Sequence, residues 1–577
     1  MNTQIRSLLS ALMLVHTLSF AQSGKEPIYE SSSIFKPVIG YDGMVSTQNF
    51  YATEAAAAVL ERGGNAVDAA VTAGFVLAVT LPRAGNLGGG GFMLIHDAKS
   101  GETWALDHRE TAPAAATRDM YLDPAGDVDR QSVNFSYLSA GVPGTVRGMQ
   151  AALERYGTLK WHEVIEPAIA LAREGFRVTQ DLHYNLKRAK ERLSKNAYTQ
   201  KLYYGKDDTV PIVGTILKLP DLAKTLQTLA DDGPDAFYTG EIAATIAEDM
   251  STNGGLISLK DLSDYQVAWR PVVEGDYRDY TIQSMPPSSS GGVHLIQMLN
   301  LLETYPISDY GHNTAQTIHL MAEAMRSAYA DRSKYLGDTD FVEVPIAGLT
   351  AKAYANALRS KISIDTARNS ADLGPGNPHP FEESPETTHY SVVDKQGNAV
   401  SCTTTLRFSF GNGLAADGLG FLYNNNMGNF AAKPGTADAF GLIGAEANAI
   451  EPEKRMLSSM TPVIVLKDGK VHLVTGSPGG SRIITVVMQV IMNVIDHQLN
   501  IAEATAAPRI HHQWVPDVLG VEKTLNTDTR RLLEAMGHTV KESPSASGST
   551  QSIMLIDGIF YGASDTRREN ALTIGIQ

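Results

Sequence analysis

Residues 387–406 read Thr-Thr-His-Tyr-Ser-Val-Val-Asp-Lys-Gln-Gly-Asn-Ala-Val-Ser-Cys-Thr-Thr-Thr-Leu, and this stretch decides the fold of the chain. Two β-rich runs flank a polar turn at Lys395–Asn398, which predicts a β-hairpin. In a hairpin the end of the second strand lies beside the start of the first, so Thr405 is expected within hydrogen-bonding reach of Thr387. The alternative interpretation is that threonine is simply common in strands.

The segment in front of this hairpin has a different composition. Residues 371–386 contain four prolines and two glycines, which is typical of a linker because proline removes backbone donors and glycine widens backbone freedom. A linker that meets a strand headed by threonine is an unusual junction. If the chain were cut before Thr387, the new α-amino group, with a reference pKa of about 7.7–8.0, would be able to activate the threonine hydroxyl.

Outward from this hairpin, the chain mixes further hairpins with helices. Residues 164–172 place apolar side chains at helical spacing and stop at Gly175, and Ile483–Ile495 is strongly apolar. Because regular βαβ alternation is lacking, we expect an α+β fold in which helices cover antiparallel sheets. The further hairpins are predicted at Phe92–His96 with Thr103–Asp107, Val463–Lys467 with Val471–Thr475, and Ser552–Ile556 with Ile559–Ala563.

Length, charge and cysteine content exclude several classes of protein. The chain has 577 residues, more than one ordinary domain holds, and 43% of them are hydrophobic, which is enough for a large core. The net charge is −15 without a positive cluster, which argues against nucleic-acid and anionic-membrane partners. The single cysteine, Cys402, excludes an internal disulfide and a multi-cysteine metal site. We expect a buried strand thiol there, with a catalytic thiol as the alternative.

The N-terminus has the pattern of an export signal. Arg6 precedes the apolar stretch Leu8–Phe20, and Ser19 and Ala21 are small residues at the positions that a signal peptidase reads. The stretch is shorter than the about 20 apolar residues that span a bilayer. We therefore expect a cleaved signal peptide over residues 1–21, and a buried N-terminal helix is the alternative. Export leaves a periplasmic and a secreted location open.

Two glycine-rich segments are candidates for close contact with a reacting group. In Thr475–Arg482 a predicted strand runs into Gly479 and Gly480 before a helix, so their backbone N–H groups are candidates for holding an oxyanion. A structural turn is the alternative, and a phosphate loop is disfavoured because no Gly-Lys-Ser/Thr follows. In Gly85–Phe92, four successive glycines predict tight backbone packing beside a site. The alternative is a phosphate cradle, which is disfavoured because no GxGxxG stands between a strand and a helix.

Several polar residues are weak candidates when taken alone. Arg109, at the end of a predicted strand, suits a carboxylate, although a lone arginine is more often part of a surface ion pair. Ser458 and Ser459 are able to donate to a carboxylate, but by themselves they indicate only a loop. His511 and His512 suggest a metal, yet neighbours on an extended strand point to opposite faces, so a shared ion is not expected.

Taken together, these segments resemble the gamma-glutamyltranspeptidase (glutathione hydrolase) family from about residue 43 to the C-terminus. The most specific match is residues 387–406, followed by Phe410 and Gly411. Agreement of this length and in this order is not expected by chance. Supporting matches lie at Gly63–Ala70, Ala84–Gly91, Leu457–Met460 and Thr475–Arg482.

The resemblance implies an N-terminal-nucleophile hydrolase with a four-layer αββα sandwich. It also implies a precursor that cuts itself between Glu386 and Thr387. A large subunit of residues 22–386, ending in the linker 371–386, and a small catalytic subunit of residues 387–577 would then form a heterodimer and build the sandwich jointly. The resemblance implies no metal and no organic cofactor.

The resemblance also implies the roles of the residues that carry the reaction. Thr387 would be the nucleophile of both the self-cleavage and the catalysed reaction, and Thr405 would orient it. Gly479 and Gly480 would form the oxyanion hole. The reaction would be ping-pong: glutathione or another γ-glutamyl compound acylates the threonine, and water or an acceptor amine releases the acyl group.

The residues implied in substrate binding include two departures from the family pattern. Arg109, Ser458 and Ser459 would hold the α-carboxylate of the γ-glutamyl group. Asn429 stands where the family usually places an aspartate that pairs with the α-ammonium, and an amide brings no charge. Asn426 stands where bacterial relatives tend to have glutamine, which is a smaller change.

Two more departures surround the same substrate-binding residues. Arg407 replaces the usual asparagine or glutamate, and Phe440 stands where well-known bacterial relatives carry a tyrosine in a lid, here Pro434–Ala445 by position. We expect γ-glutamyl hydrolysis and transfer despite these changes. The alternatives are a glutaryl-type (cephalosporin) acylase of the same family and an inactive, uncleaved homologue that binds peptides.

Overall fold

The computed structural model describes residues 33–373, 387–543 and 547–577. The expected signal peptide, the expected start of the large subunit at residue 22 and Glu386 of the expected cleavage bond lie outside these residues. Most of the expected linker lies outside them as well, while Ser370–Leu373 forms a short 3₁₀ helix where the linker begins. Thr387 is the first residue described in the expected small subunit.

Two large antiparallel sheets form the centre of the molecule. In chain order the strands are β1 Val38–Gly40, β2 Gly43–Thr47, β3 Gly90–Asp97, β4 Glu102–His108, β5 Phe176–Arg177, β6 Ile216–Leu217, β7 Ala268–Pro271, β8 Val273–Tyr277, β9 Tyr280–Ser284, β10 Thr388–Asp394, β11 Ala399–Thr405, β12 Val463–Lys467, β13 Lys470–Thr475, β14 Ile510–His511, β15 Leu519–Val521, β16 Val540–Glu542, β17 Gln551–Ile556, β18 Ile559–Ser564 and β19 Leu572–Ile576. Sheet I has the order β19-β2-β10-β11-β3-β4-β7, and sheet II has the order β1-β18-β17-β13-β12-β9-β8. Strands β14–β16 and β5–β6 form two small sheets.

Helices form the outer layers around these sheets. The Phe50–Glu61 and Ala66–Thr80 helices pack on sheet I, and the Gly291–Leu302 and Ile501–Ala506 helices pack on sheet II beside Ile483–Ile495. The order of layers is therefore helix, sheet I, sheet II, helix, and the expected α+β class is confirmed. The α-helices are Phe50–Glu61, Ala66–Thr80, Arg130–Phe135, Thr145–Tyr156, Trp161–Glu174, Gln180–Leu193, Ala197–Tyr204, Pro220–Asp232, Asp235–Tyr238, Glu241–Thr252, Leu259–Asp264, Gly291–Leu302, Ile307–Tyr310, Ala315–Tyr335, Ile346–Leu349, Lys352–Arg359, Ile483–Ile495, Ile501–Ala506 and Thr527–Ala535.

Alternation along β10 assigns the two faces of sheet I. Tyr390, like Cys402 on β11, belongs to the core beneath the helices. Ser391 faces the opposite way, and its Oγ donates to the backbone oxygen of Gln551 on sheet II at 2.9 Å. Because side chains alternate with a period of two, Thr387 shares the face of Ser391. The threonine therefore lies at the end of the sandwich, on the side of sheet I that faces sheet II.

The predicted hairpins are confirmed. Strand pairs β3–β4, β10–β11, β12–β13 and β17–β18 are each antiparallel neighbours joined by the predicted turns. Cys402 is a buried strand thiol as expected, and burial raises its pKa to about 12. None of the helices in the described part of the chain has the length and apolar character needed to cross a bilayer.

Candidate active site

The two ends of the β10–β11 hairpin bring two threonine hydroxyls together. The register pairs Thr388 with Thr404, which places Thr387 opposite Thr405. Thr387 Oγ1 donates to Thr405 Oγ1 over 3.4 Å, and both side chains are buried. Thr405 Oγ1 also accepts from the backbone N–H of Arg407 at 2.8 Å. The contact expected from the sequence is present, and the loop after β11 holds the second hydroxyl in place.

A buried polar ladder continues from this pair along the hairpin. His389 Nδ1 and Thr403 Oγ1 share a hydrogen bond of 2.9 Å, and His389 Nε2 and Ser391 Oγ share one of 3.1 Å. Burial lowers the pKa of His389 to about 3, so the ring is neutral at physiological pH. Gly476 leaves room for this ring, because a Cβ there would lie 2.3 Å from it. The ladder fixes the strand that Thr387 precedes.

The turn after β13 has a backbone that favours glycine. Gly479 has a φ of 141° and Gly480 a φ of 55°, a region that residues with a Cβ rarely adopt. The chain then forms the 3₁₀ turn Gly480–Arg482 and the Ile483–Ile495 helix. Gly480 lines the same cavity as Thr387. A glycine turn at the start of a helix and beside a hydroxyl suits a developing negative charge.

Arg109 has an unpaired guanidinium edge in a fully buried position. It follows β4, and its Nη1 donates to Glu110 Oε2 at 3.1 Å. No described residue accepts a hydrogen bond from its Nε or Nη2. Burial lowers the pKa of Arg109, Glu110 opposes that shift, and Asn426 Nδ2 donates to Glu110 at 2.6 Å. Because unpaired buried donors are costly, this edge suits an incoming carboxylate.

Ser458 and Ser459 lie in a buried loop that leads to β12. Ser458 Oγ accepts from the backbone N–H of Met460 at 3.1 Å. Ser459 Oγ accepts from Arg332 Nη2 at 3.2 Å. Both serines line the cavity together with Arg109, so hydroxyl groups and a guanidinium edge are available to the same ligand.

Arg407 is a second buried guanidinium in the cavity. Its Nε donates to Asn429 Oδ1 at 2.7 Å. The guanidinium lies over the rings of Phe408 and Phe440, 4.5 and 5.1 Å from their centroids. Burial lowers the pKa of Arg407 to about 10, so the group remains a cation at neutral pH. The amide oxygen of Asn429 is therefore already engaged by a positive charge.

Residues 434–445, the lid, form one wall of the cavity. Phe440 connects the lid to neighbouring segments. The carbonyl oxygen of Phe440 accepts from Gln513 Nε2 at 3.0 Å. Gln513 Oε1 accepts in turn from Ser481 Oγ at 2.8 Å, directly after Gly480. Gln513 thus connects the lid to the glycine turn. The ring of Phe440 lies against the guanidinium of Arg407, so the lid contacts a residue that follows β11.

One cavity of about 80 Å³ brings together most of the predicted site residues. Asn426 is not among the lining residues, because it lies behind Arg109 against Glu110. Gly479 is not among them either, although the next residue is. The predicted residues that line the cavity are Arg109, Thr387, Thr405, Arg407, Asn429, Ser458, Ser459 and Gly480.

Three residues of this region were not singled out from the sequence. Arg332 comes from the Ala315–Tyr335 helix, where one charged residue near a helix end carries no special signal. Asp438 lies within the segment assigned to the lid, and this position was the only feature of the sequence that indicated a place near the site. Gln513 directly follows His511 and His512, which suggest a metal site and not a contact with the lid. Each contact joins residues distant in sequence, so local patterns do not reveal it.

A group of side chains among the described residues has the composition of a metal site. It consists of His319, Glu323 and His538. His319 Nδ1 and His538 Nε2 share a hydrogen bond of 2.8 Å, and Glu323 pairs with Arg326 and Arg368. The positive charges of Arg326 and Arg368 beside Glu323 would repel a metal ion. We therefore interpret these three side chains as part of a structural hydrogen-bond and ion-pair network.

His511 and His512 have separate partners. His511 Nδ1 and Thr485 Oγ1 share a hydrogen bond of 2.9 Å. His512 Nε2 lies 3.1 Å from Asp517 Oδ1. The two rings do not converge on one point, as expected for neighbours on an extended strand.

Known proteins resemble this chain over nearly its whole length. The family model described as Gamma-glutamyltranspeptidase matches residues 52–574. The glutathione hydrolase proenzyme of Escherichia coli (strain K12) is 52% identical over 543 residues, which cover 94% of this chain and 93% of that protein. The solved cephalosporin acylase from Bacillus halodurans has a TM-score of 0.83 at 26% identity and covers 95% of this chain and 98% of its own. A chain of Helicobacter pylori gamma-glutamyltranspeptidase has a TM-score of 0.56 at 45% identity, covering 63% of this chain and 99% of its own.

Proposed function

This chain belongs to the gamma-glutamyltranspeptidase family, and we propose that it is an autoprocessing γ-glutamyltransferase and glutathione hydrolase. The Thr387–Thr405 hydroxyl pair shares a cavity with the unpaired guanidinium edge of Arg109, and this arrangement carries the proposal. A nucleophile beside a carboxylate-binding cation suits an acyl donor that itself carries a carboxylate. The Escherichia coli relative, a glutathione hydrolase proenzyme, supports γ-glutamyl compounds as the donor class.

Thr387 begins the reaction. Its free α-amino group takes the hydroxyl proton while Oγ1 attacks the γ-carbonyl carbon of the donor. Thr405 orients that oxygen, and the backbone N–H groups of Gly479 and Gly480 hold the oxyanion. The intermediate collapses by breaking the amide bond, and the leaving amine takes the proton. A γ-glutamyl ester remains on the threonine.

A second nucleophile then releases the acyl group. Water yields glutamate, and the amine of an amino acid or peptide yields a new γ-glutamyl amide. The α-amino group of Thr387 accepts the proton of the incoming nucleophile and returns it to Oγ1. Through both stages Arg109, Ser458 and Ser459 hold the α-carboxylate, which keeps the acyl group in one orientation.

The free α-amino group comes from cleavage between Glu386 and Thr387. Removal of an export signal over residues 1–21, for a periplasmic or secreted location, leaves a large subunit of 22–386 and a small subunit of 387–577. Each sheet contains strands from both parts: β2 and β3 flank β10 and β11 in sheet I, and β9 pairs with β12 in sheet II. This interleaving favours a heterodimer that stays assembled. The Helicobacter pylori chain covers 63% of this chain. Residues 22–386 are 365 of its 577 residues, which is the same share, so the match has the length expected of the large subunit.

A glutaryl-type acylase is the second candidate, and the surroundings of Asn429 favour it. The position at which the family usually places a carboxylate for the α-ammonium holds a neutral amide whose oxygen binds Arg407. A glutaryl group has no amine, so it would lose no contact there. The likeness to a cephalosporin acylase points in the same direction.

Purified full-length protein tests these functions together. We expect two chains on a denaturing gel, an N-terminal threonine on the smaller one, and faster turnover of γ-glutamyl-p-nitroanilide than of glutaryl-p-nitroanilide. The reverse preference would identify the acylase. A single uncleaved chain without activity would indicate a binding homologue, and a single uncleaved chain with full activity would overturn the mechanism.

A further inference from the structure

Asp438 is the sole carboxylate among the described residues that line the cavity. It belongs to the lid, opposite a wall that is rich in positive charge. A glutamyl donor brings an α-ammonium into this environment, where like charges would repel it. The cationic side chains that line the same cavity are Arg109, Arg130, Arg332, Arg407 and Lys433.

The two oxygens of Asp438 have different surroundings. Oδ1 accepts from the backbone N–H groups of Phe440 and Leu442 at 2.8 and 3.0 Å, so it shapes the turn of the lid. Ala437 and Ile443 pair as a β-bridge around this turn. No described residue donates a hydrogen bond to Oδ2. One oxygen thus builds the lid, and the other is available to a ligand.

The charges around Asp438 place it near the donor-binding residues. Burial raises the pKa of Asp438, and the positive charges of Arg407 and Arg332 oppose that shift and favour the ionised carboxylate. The first of them donates to Asn429, and the second donates to Ser459. The carboxylate therefore lines the same cavity as Asn429 and Ser459, the residues that these two guanidinium groups contact.

We propose that Asp438 supplies the carboxylate that pairs with the α-ammonium of the donor, and that it thereby selects γ-glutamyl groups over otherwise identical groups without the amine. This inference rests on the proposed function. The α-carboxylate and the α-ammonium share one carbon atom, so a donor held at Arg109 has its ammonium inside the cavity. The charge that Asn429 lacks is then supplied by Asp438, a lid residue that lines the same cavity.

An alternative explanation is that Asp438 serves the lid turn alone. Asparagine retains the Oδ1 acceptor that the turn needs and removes only the charge. The variant Asp438→Asn therefore separates the two roles. Asp438→Ser, which offers a neutral hydroxyl acceptor to the same turn, is a second variant in case the first does not fold.

The test compares kcat/KM for γ-glutamyl-p-nitroanilide with kcat/KM for glutaryl-p-nitroanilide, which differ in the α-amine alone. We expect Asp438→Asn to lower the ratio of the two values about tenfold, mainly through KM of the γ-glutamyl donor, because a charge-assisted contact is lost. Asp468→Asn is the matched control, since it removes the same charge from an exposed turn next to β12. Self-cleavage on a gel reports that each variant has folded.

Three results are decisive. A fall in the ratio with Asp438→Asn, and none with Asp468→Asn, supports the pairing. Equal losses with both donors, or an unchanged ratio, overturn it and leave Asp438 as a residue of the lid turn. Wild-type protein that turns over neither donor would instead overturn the proposed function on which the inference rests.

Discussion

The β10–β11 hairpin and the lid contribute to the same cavity in opposite ways. All residues of both strands are buried, and β2 and β3 pair with them on either side. The lid is a loop, and several of its residues are half-buried or exposed. The hairpin retains the residue pattern of the family, while Asn429 and Phe440, which lie beside and within the lid, depart from it. Under the proposed function, the bond-making groups lie on buried, paired strands, and donor selection depends on a loop.

The physical basis of this division is the tolerance of each region to change. A substitution in a paired and buried strand disturbs neighbours on both sides, whereas a loop accommodates it through local adjustment. Arg407 links the two regions, because it follows β11 and stacks on the lid residue Phe440. Substitutions in the hairpin should therefore change mainly kcat, and substitutions in the lid should change mainly KM.

The largest effect is expected for Thr387→Ala. The variant lacks the hydroxyl for both cleavage and turnover, so we expect one uncleaved chain and a rate lower by about 10⁴-fold or more. Gel electrophoresis and a γ-glutamyl-p-nitroanilide assay measure the two results. Thr387→Ser, which keeps a hydroxyl, is the control and should retain some of each. Normal cleavage of the alanine variant would refute the role of the hairpin.

A smaller loss is expected for Arg109→Lys. Lysine keeps a charge beside Glu110 but lacks the planar edge whose Nε and Nη2 are unpaired. We expect kcat/KM to fall about 100-fold, since a two-point contact with the α-carboxylate is lost. Arg130→Lys, at another arginine that lines the cavity, is the matched control. Equal losses in both variants would indicate a general electrostatic effect and not a specific one.

Thr405→Val should have an intermediate effect. Valine has nearly the same shape but cannot hold Thr387 Oγ1 or accept from the backbone N–H of Arg407. We expect kcat to fall about tenfold with little change in KM, because one hydrogen bond that orients the nucleophile is removed. Thr405→Ser should restore most of the rate. A change confined to KM would contradict the separation of hairpin and lid.

Gln513→Glu tests the connection of the lid to the glycine turn. The carboxylate keeps an acceptor for Ser481 and loses the donor to the Phe440 carbonyl. We expect KM for the γ-glutamyl donor to rise about fivefold, the size of one lost hydrogen bond, while kcat changes less. Ser481→Ala removes the other arm of the connection and should affect kcat more. Equal changes of kcat and KM in the two variants would contradict separate roles for the Gln513 contacts with Ser481 and Phe440.

The smallest effect is expected for Asn429→Asp. The new carboxylate has a charge for the α-ammonium, but Arg407 Nε already binds the corresponding oxygen of asparagine at 2.7 Å. We expect KM for γ-glutamyl-p-nitroanilide to fall only about two- to threefold, because the two cations compete for one carboxylate. Titration of the donor with both proteins measures this shift. No improvement would count against the pairing of a carboxylate at position 429 with the α-ammonium of the donor.

Much of the fold was predictable because its signals are local. The hairpins at β3–β4, β12–β13 and β17–β18 follow from β-rich runs around turn residues, and Gly175 ends a helix as expected. The contact between Thr387 and Thr405 followed from hairpin geometry. Contacts between distant segments were not predictable: Arg332 and Ser459 are 127 residues apart, and Gln513 and Phe440 are 73 residues apart.

The sequence by itself determined where apolar side chains recur with the period of two of a strand or the period of 3.6 of a helix, and where turns separate these segments. It also determined the family resemblance and the identity of the residues that depart from the family. Tertiary structure alone decided that Asn426 lies behind the cavity, that Arg407 occupies the oxygen of Asn429, and that Asp438 is the acidic group the cavity receives. The reason is physical. Local patterns follow from backbone geometry, whereas the partner of a buried charge depends on which distant chains pack around it.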